Sequence, residues 1–85
     1  MKNFKAIIRI MQIKELLDPQ GKTVAKNLPN IGMQGVTDVR IGKRIEMALQ
    51  AENAEAASVA VDLACKKLLA NLIMEYYSFE IQEVE

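Results

Sequence analysis

The sequence contains no histidine, no tryptophan, one cysteine, two prolines and four isolated glycines. Without histidine it lacks the commonest general acid–base group and the commonest metal ligand. The one cysteine, Cys65, excludes an intrachain disulfide framework. One thiol and scattered carboxylates supply no metal-ligand cluster. Glycines at 21, 32, 35 and 42 stand singly, so there is no glycine-rich phosphate loop. Eleven Lys and Arg balance eleven Asp and Glu, which argues against a dedicated nucleic-acid binder. Aromatics are only 5% of the chain, with no aromatic-and-basic signature of an RNA reader. No apolar run reaches membrane-spanning length: the longest, Phe4 to Ile13, is broken by Arg9 and Gln12. The N-terminus has no signal-peptide layout. These absences point to a cytoplasmic protein with a reduced thiol, no nucleic-acid partner and no membrane.

What is present is a globular composition, 51% hydrophobic and 26% charged over 85 residues. That length accommodates one domain, residues 1–85, which buries only about 60–65% of its extended surface and gains from association. Phe4, Ala6, Ile8 and Ile10 share one face of a predicted strand, with Lys5, Ile7, Arg9, Met11 and Ile13 on the other. A strand apolar on both faces is either central or meets another molecule. Asp18 followed by Pro19 starts a helix, with Asp18 as N-cap. Its stripe is Val24, Leu28 and Ile31; Pro29 predicts a bend or an end near Leu28, and Gly32 suits a left-handed cap.

Val36–Ile41 and Arg44–Ala51 read as a hairpin pivoting on Gly42-Lys43. Asn53 caps a longer helix with Ala57, Val61, Ala64, Cys65, Leu68 and Leu72 on one face, which Asn71 closes in the left-handed region. Ile73–Val84 is the last strand, with Ile73, Tyr77, Phe79 and Ile81 inward. The order β-α-β-β-α-β predicts an α+β two-layer sandwich of the ferredoxin-like type, two helices on one face of an antiparallel sheet. Burying the other face in a homo-oligomer, a dimer or tetramer, would supply stability the monomer lacks.

The residue inventory offers little chemistry. Cys65 lies on an apolar stripe, where a core thiol is the better reading than a nucleophile. Glu75 and Glu83 share a strand face but stand far apart along it for acid–base work. For Arg40, Lys43 and Arg44 a charged hairpin tip that guards a sheet edge is a better reading than a phosphate site. A second reading, a small-molecule effector module with its ligand near the first strand–helix loop, is kept open by Asp18 and Gly21. A thiol, carboxylates and a basic tip thus give no catalytic set, no cofactor site and no metal site.

Three stretches carry a resemblance. They are Leu17-Asp18-Pro19-Gln20-Gly21; Val36-Thr37-Asp38-Val39-Arg40-Ile41-Gly42-Lys43 with Glu46; and Cys65-Lys66-Lys67-Leu68-Leu69-Ala70-Asn71 with Glu75 and Tyr77. In order and spacing the sequence resembles the PurS family, small subunits of phosphoribosylformylglycinamidine synthase. Pro29 and Leu72-Ile73-Met74 depart from the usual pattern of that family. The resemblance implies a role in de novo purine synthesis without catalytic residues in this chain. It implies a large synthetase subunit, which holds ATP and magnesium, and a separate glutaminase subunit. This chain would hold the two together for ammonia transfer. By the same resemblance Asp18, Pro19, Gly21 and Gly42 set turns, while Arg40, Lys43, Asn71 and Glu75 are candidates for partner contact.

Overall fold

In a computed structural model, the structure describes residues 1–13 and 18–85; Leu17 of the first motif lies outside them. Among the described residues three strands form one antiparallel sheet: β1 (Lys2–Gln12), β2 (Gly42–Ala51) and β3 (Glu75–Val84), in the order β2-β1-β3. Helix α1 (Pro19–Asn27) precedes β2, and helix α2 (Ala54–Ala64) precedes β3. The strand that is apolar on both faces is the central one. On its inner face Phe4, Ala6, Ile8 and Ile10 are buried. Ile8 lies between Ile45 of β2 and Phe79 of β3, beneath Val61 and Cys65. Asn53 caps α2 as expected, its side chain accepting the Ala56 N–H at 2.8 Å.

The outer face of the sheet is not an open apolar surface. Glu46 and Glu80 oppose Ile7 from either side. Lys5 pairs with Glu46 at 2.8 Å, Arg44 with Glu46 at 2.7 Å and Arg9 with Glu80 at 3.3 Å. Ile7, flanked by these charged side chains, is 8% exposed. The exposed apolar groups of this face are Tyr76 and Val84, toward the two ends of β3; others are Val59 and Leu63 on α2, and Val24, Ile31 and Met33 along and after α1. Helix α1 buries only Gly21. The chain measures 51 × 29 × 14 Å, with a radius of gyration of 16.8 Å. A compact chain of this length has about 12 Å. The segment carrying α1 therefore stands out as an arm.

Pro29 acts as expected. Helix α1 ends at Asn27, a 3-10 turn runs Leu28–Ile31, and Gly32 takes φ +84°. Four local expectations are corrected. The Gly42-Lys43 hairpin does not form, because Gly42 pairs with Met11 and Lys43 with Ile10 as the first rungs of β2. Val36–Ile41 consequently has no ladder pairing among the described residues. Asn71 is not left-handed, since no non-glycine residue among those described has positive φ. The helix ends instead through a π turn, Cys65–Leu69, closed by the Ala70 N–H on the Cys65 carbonyl at 3.0 Å. One extra residue per turn rotates the apolar stripe. Leu69 and Ala70 pack on the core, while Leu68 is 82% exposed and Leu72 is also exposed. Ile73, at 86%, lies outside β3 and does not point inward.

Tyr77 joins β3 to α2 by donating its hydroxyl to Asp62, which also pairs with Lys66 at 2.9 Å. The bond to Asp62 pushes the Tyr77 phenol up to about 12, from an ordinary value near 10. A folded-state value above the unfolded one stabilises the fold fully below pH 10, and that contribution is lost as pH rises through 12. Urea midpoints are expected to fall over this interval. Tyr77→Phe removes this component of the fall; an unchanged profile in the variant would separate Tyr77 from it.

Candidate functional site

The turn into α1 is built on Asp18. Its Oδ1 accepts the Gly21 N–H at 3.0 Å, which caps α1. Its Oδ2 accepts the Ile41 N–H at 2.8 Å, from the residue just before β2. One carboxylate thus closes the arm, tying its first turn to its last residue. The Gly21 and Ile41 amides, followed by the charge of Arg40, hold the Asp18 carboxyl below its usual range. Pro19 occupies the first helical position, where its missing N–H removes no bond.

Both motif glycines mark close approaches of backbone. A Cβ on Gly21 would overlap the Val39 carbonyl oxygen and stand 2.8 Å from Asp18 Oδ2. A Cβ on Gly42 would overlap Met11 Sδ and stand 2.6 Å from the Ile10 carbonyl oxygen. Neither glycine has positive φ, so the demand is space and not backbone conformation.

The candidate contact residues gather at the same end of the sheet. Arg40 donates to the Gln12 carbonyl at the end of β1, so its half-buried guanidinium fastens the arm. Lys43 reaches Glu75 at 3.5 Å, with side chains 60% and 15% exposed respectively. Glu75 Oε1 accepts the Asn71 N–H at 2.8 Å, while the Glu75 N–H donates to the Asn71 carbonyl at 2.7 Å. Asn71 Oδ1 accepts the Ile73 N–H at 3.1 Å, so Asn71 and Glu75 together build the turn into β3. Asp18, Gly21, Arg40, Gly42, Lys43, Asn71 and Glu75 therefore meet, although they come from three separated stretches. Gln12 and Gln20 complete the cluster. Sequence reading gave neither of them a site role, although Gln20 belongs to the first motif, since a glutamine on a strand end or a helix start carries no signal by itself.

Cys65 stands apart from this end. It is buried beneath α2, and burial, with the Asp62 charge second, pushes its thiol up. A raised, buried thiol is a poor nucleophile. Among the described residues no three histidine, cysteine or carboxylate side chains gather as metal ligands. Among them, too, no helix is long and apolar enough to cross a membrane.

Comparison with known proteins places this geometry. A family model described as PurS, phosphoribosylformylglycinamidine (FGAM) synthase, matches residues 5–83. The phosphoribosylformylglycinamidine synthase subunit PurS of Synechocystis is 46% identical over 70 residues, 82% of this chain and 70% of that protein. The crystal structure of PurS from Methanocaldococcus jannaschii superposes with a TM-score of 0.85 at 33% identity, over 96% of this chain and 99% of that one. A chain in the structure of PurLQS from Thermotoga maritima gives a TM-score of 0.85 at 34% identity, over 99% of this chain and all of that one.

Proposed function

Because the chain belongs to the PurS family of FGAM synthase subunits, serving purine biosynthesis, we propose that it acts as a non-catalytic bracket within that enzyme. It holds a large synthetase subunit and a glutaminase subunit together so that ammonia passes between their sites. ATP and magnesium then belong to the large subunit, and the assembly works in the cytoplasm. The observation that carries this reading is the end-to-end likeness to a chain of the PurLQS structure.

The residues divide by what they touch. Asp18, Pro19, Gly21 and Gly42 fix the junction between arm and sheet. Arg40 and Glu75 are largely engaged within the chain, and support the exposed Lys43 and Asn71 as points of partner contact. A charge at a turn reaches a partner carboxylate without disturbing the sheet. The uncovered apolar groups on α2 and the arm are the surface a second copy buries in a homo-oligomer. The test is reconstitution. Glutamine-dependent FGAM formation by the two larger subunits is expected to depend on this chain, and independence from it would overturn the reading.

A further inference from the structure

At the junction of arm and sheet lies a cavity of about 80 Å3, lined by Ile10, Gln12, Gln20, Ile41, Lys43 and Glu75, with Gly42 at its rim. It exists because the last inner-face positions of the sheet are polar. Gln12 and Glu75 oppose each other across β1 and β3, and Lys43 opposes Ile10 across β1 and β2. The first turn of α1, at Gln20, closes the other side. Gln12 Oε1 is sealed from solvent, yet accepts no hydrogen bond among the described residues. A buried acceptor left without a donor costs about 1–3 kcal/mol, so such an atom marks a place where a donor belongs.

We propose that this cavity binds a small free α-amino acid. Its chemistry is set by what surrounds it. A lone anion would meet the Glu75 carboxylate, and a lone cation would meet the Lys43 ammonium. A molecule carrying both charges a few ångströms apart matches both. The ligand ammonium donates to Glu75 Oε2, the carboxylate oxygen that faces Lys43, and to Gln12 Oε1 once the Gln12 side chain turns toward the cavity. The ligand carboxylate takes Lys43 Nζ and the Gln20 amide. Lys43 is exposed and flexible enough to turn from Glu75 to the ligand. The volume admits two or three waters at about 30 Å3 each, or a molecule of glycine to serine size. Ile10 and Ile41 wall the site and exclude larger side chains. This goes beyond the assembly role and does not rest on it.

The experiment titrates the full-length chain, 15N-labelled, with glycine, serine and phenylalanine, and separately with acetate and methylammonium. Glycine and serine are expected to give saturating shifts centred on the amides of Gln12, Gln20, Lys43 and Glu75, with Kd on the order of 1 mM. Acetate, methylammonium and phenylalanine bind at least about tenfold more weakly, because each lacks a partner or does not fit. Glu75→Gln keeps an acceptor for the Asn71 N–H but removes the charge, and raises Kd about tenfold or more. Lys43→Met, at the exposed start of β2, gives the same weakening should Glu75→Gln fail to fold. Absence of saturation by about 20 mM, equal shifts with acetate, or unaltered affinity in the folded variants would each overturn the proposal. Reconstitution of FGAM formation is read separately, so failure of one reading leaves the other standing.

Discussion

Gly21→Ala is expected to lower stability by about 2 kcal/mol, although alanine inside a helix ordinarily gains about 1 kcal/mol over glycine. The sign is decided by the Val39 carbonyl oxygen, which a Cβ at position 21 would overlap. Overpacking typically costs about 1–3 kcal/mol, and the upper end applies when the obstructing atom is backbone and cannot turn aside. The new methyl also crowds the Asp18 carboxylate, which holds the Gly21 and Ile41 amides. The damage should therefore be local before it is global. Hydrogen exchange at Gly21 and Ile41 accelerates more than exchange at Ile8, and the urea midpoint falls. A raised midpoint would mean that the arm and the segment before β2 do not approach as described.

Ile8→Ala is expected to cost about 3–5 kcal/mol, the upper part of the range for such truncations. Ile8 is fully buried in the central strand, between Ile45 and Phe79 and under Val61 and Cys65. None of these neighbours can close the space without leaving the sheet or the helix. A domain of 85 residues has about 4–13 kcal/mol in total, so this change removes a large share. The melting temperature should drop by about 15 °C or more. Ile7→Ala is the comparison. Ile7 lies on the other face, flanked by Glu46 and Glu80, and its truncation is expected to cost less, because long charged side chains there can resettle over the space. Equal losses would contradict a core confined to the α2 side.

Legibility in the sequence followed the range of the interactions involved. The alternation of Phe4, Ala6, Ile8 and Ile10, the Asp18 and Asn53 caps, the stop at Pro29 and the left-handed Gly32 all rest on neighbours a few residues away. Val36–Ile41 has the residues of a strand but no partner. Its Ile41 N–H goes to Asp18 and its Arg40 to Gln12, while β2 begins only at Gly42. Those bonds span 23 and 28 positions, beyond any periodic pattern. The π turn at Cys65–Leu69 shifts the stripe by one residue, which a fixed helical period cannot anticipate. The cluster at the sheet end was legible as three separate stretches, but not as one place. Its sealed Gln12 was not legible at all.

This geometry also explains why the first two stretches occur together. Asp18 and Gly21 of one are shaped around Ile41 and Val39 of the other. Glu75 and Asn71 of the third then close the end of the sheet against Lys43. These motif residues are chiefly bound to one another. A chain so built presents a fixed outline to other proteins, as the proposed bracket role requires.

The most direct test of that account is the rate of glutamine-dependent FGAM formation by the two larger subunits, measured with and without this chain at subunit concentrations below their mutual affinity. A bracket raises the effective concentration of one subunit at the other, so leaving it out should lower the rate by about 100-fold. Activity supported by free ammonia should barely change. Equal glutamine-dependent rates with and without the chain would contradict the account.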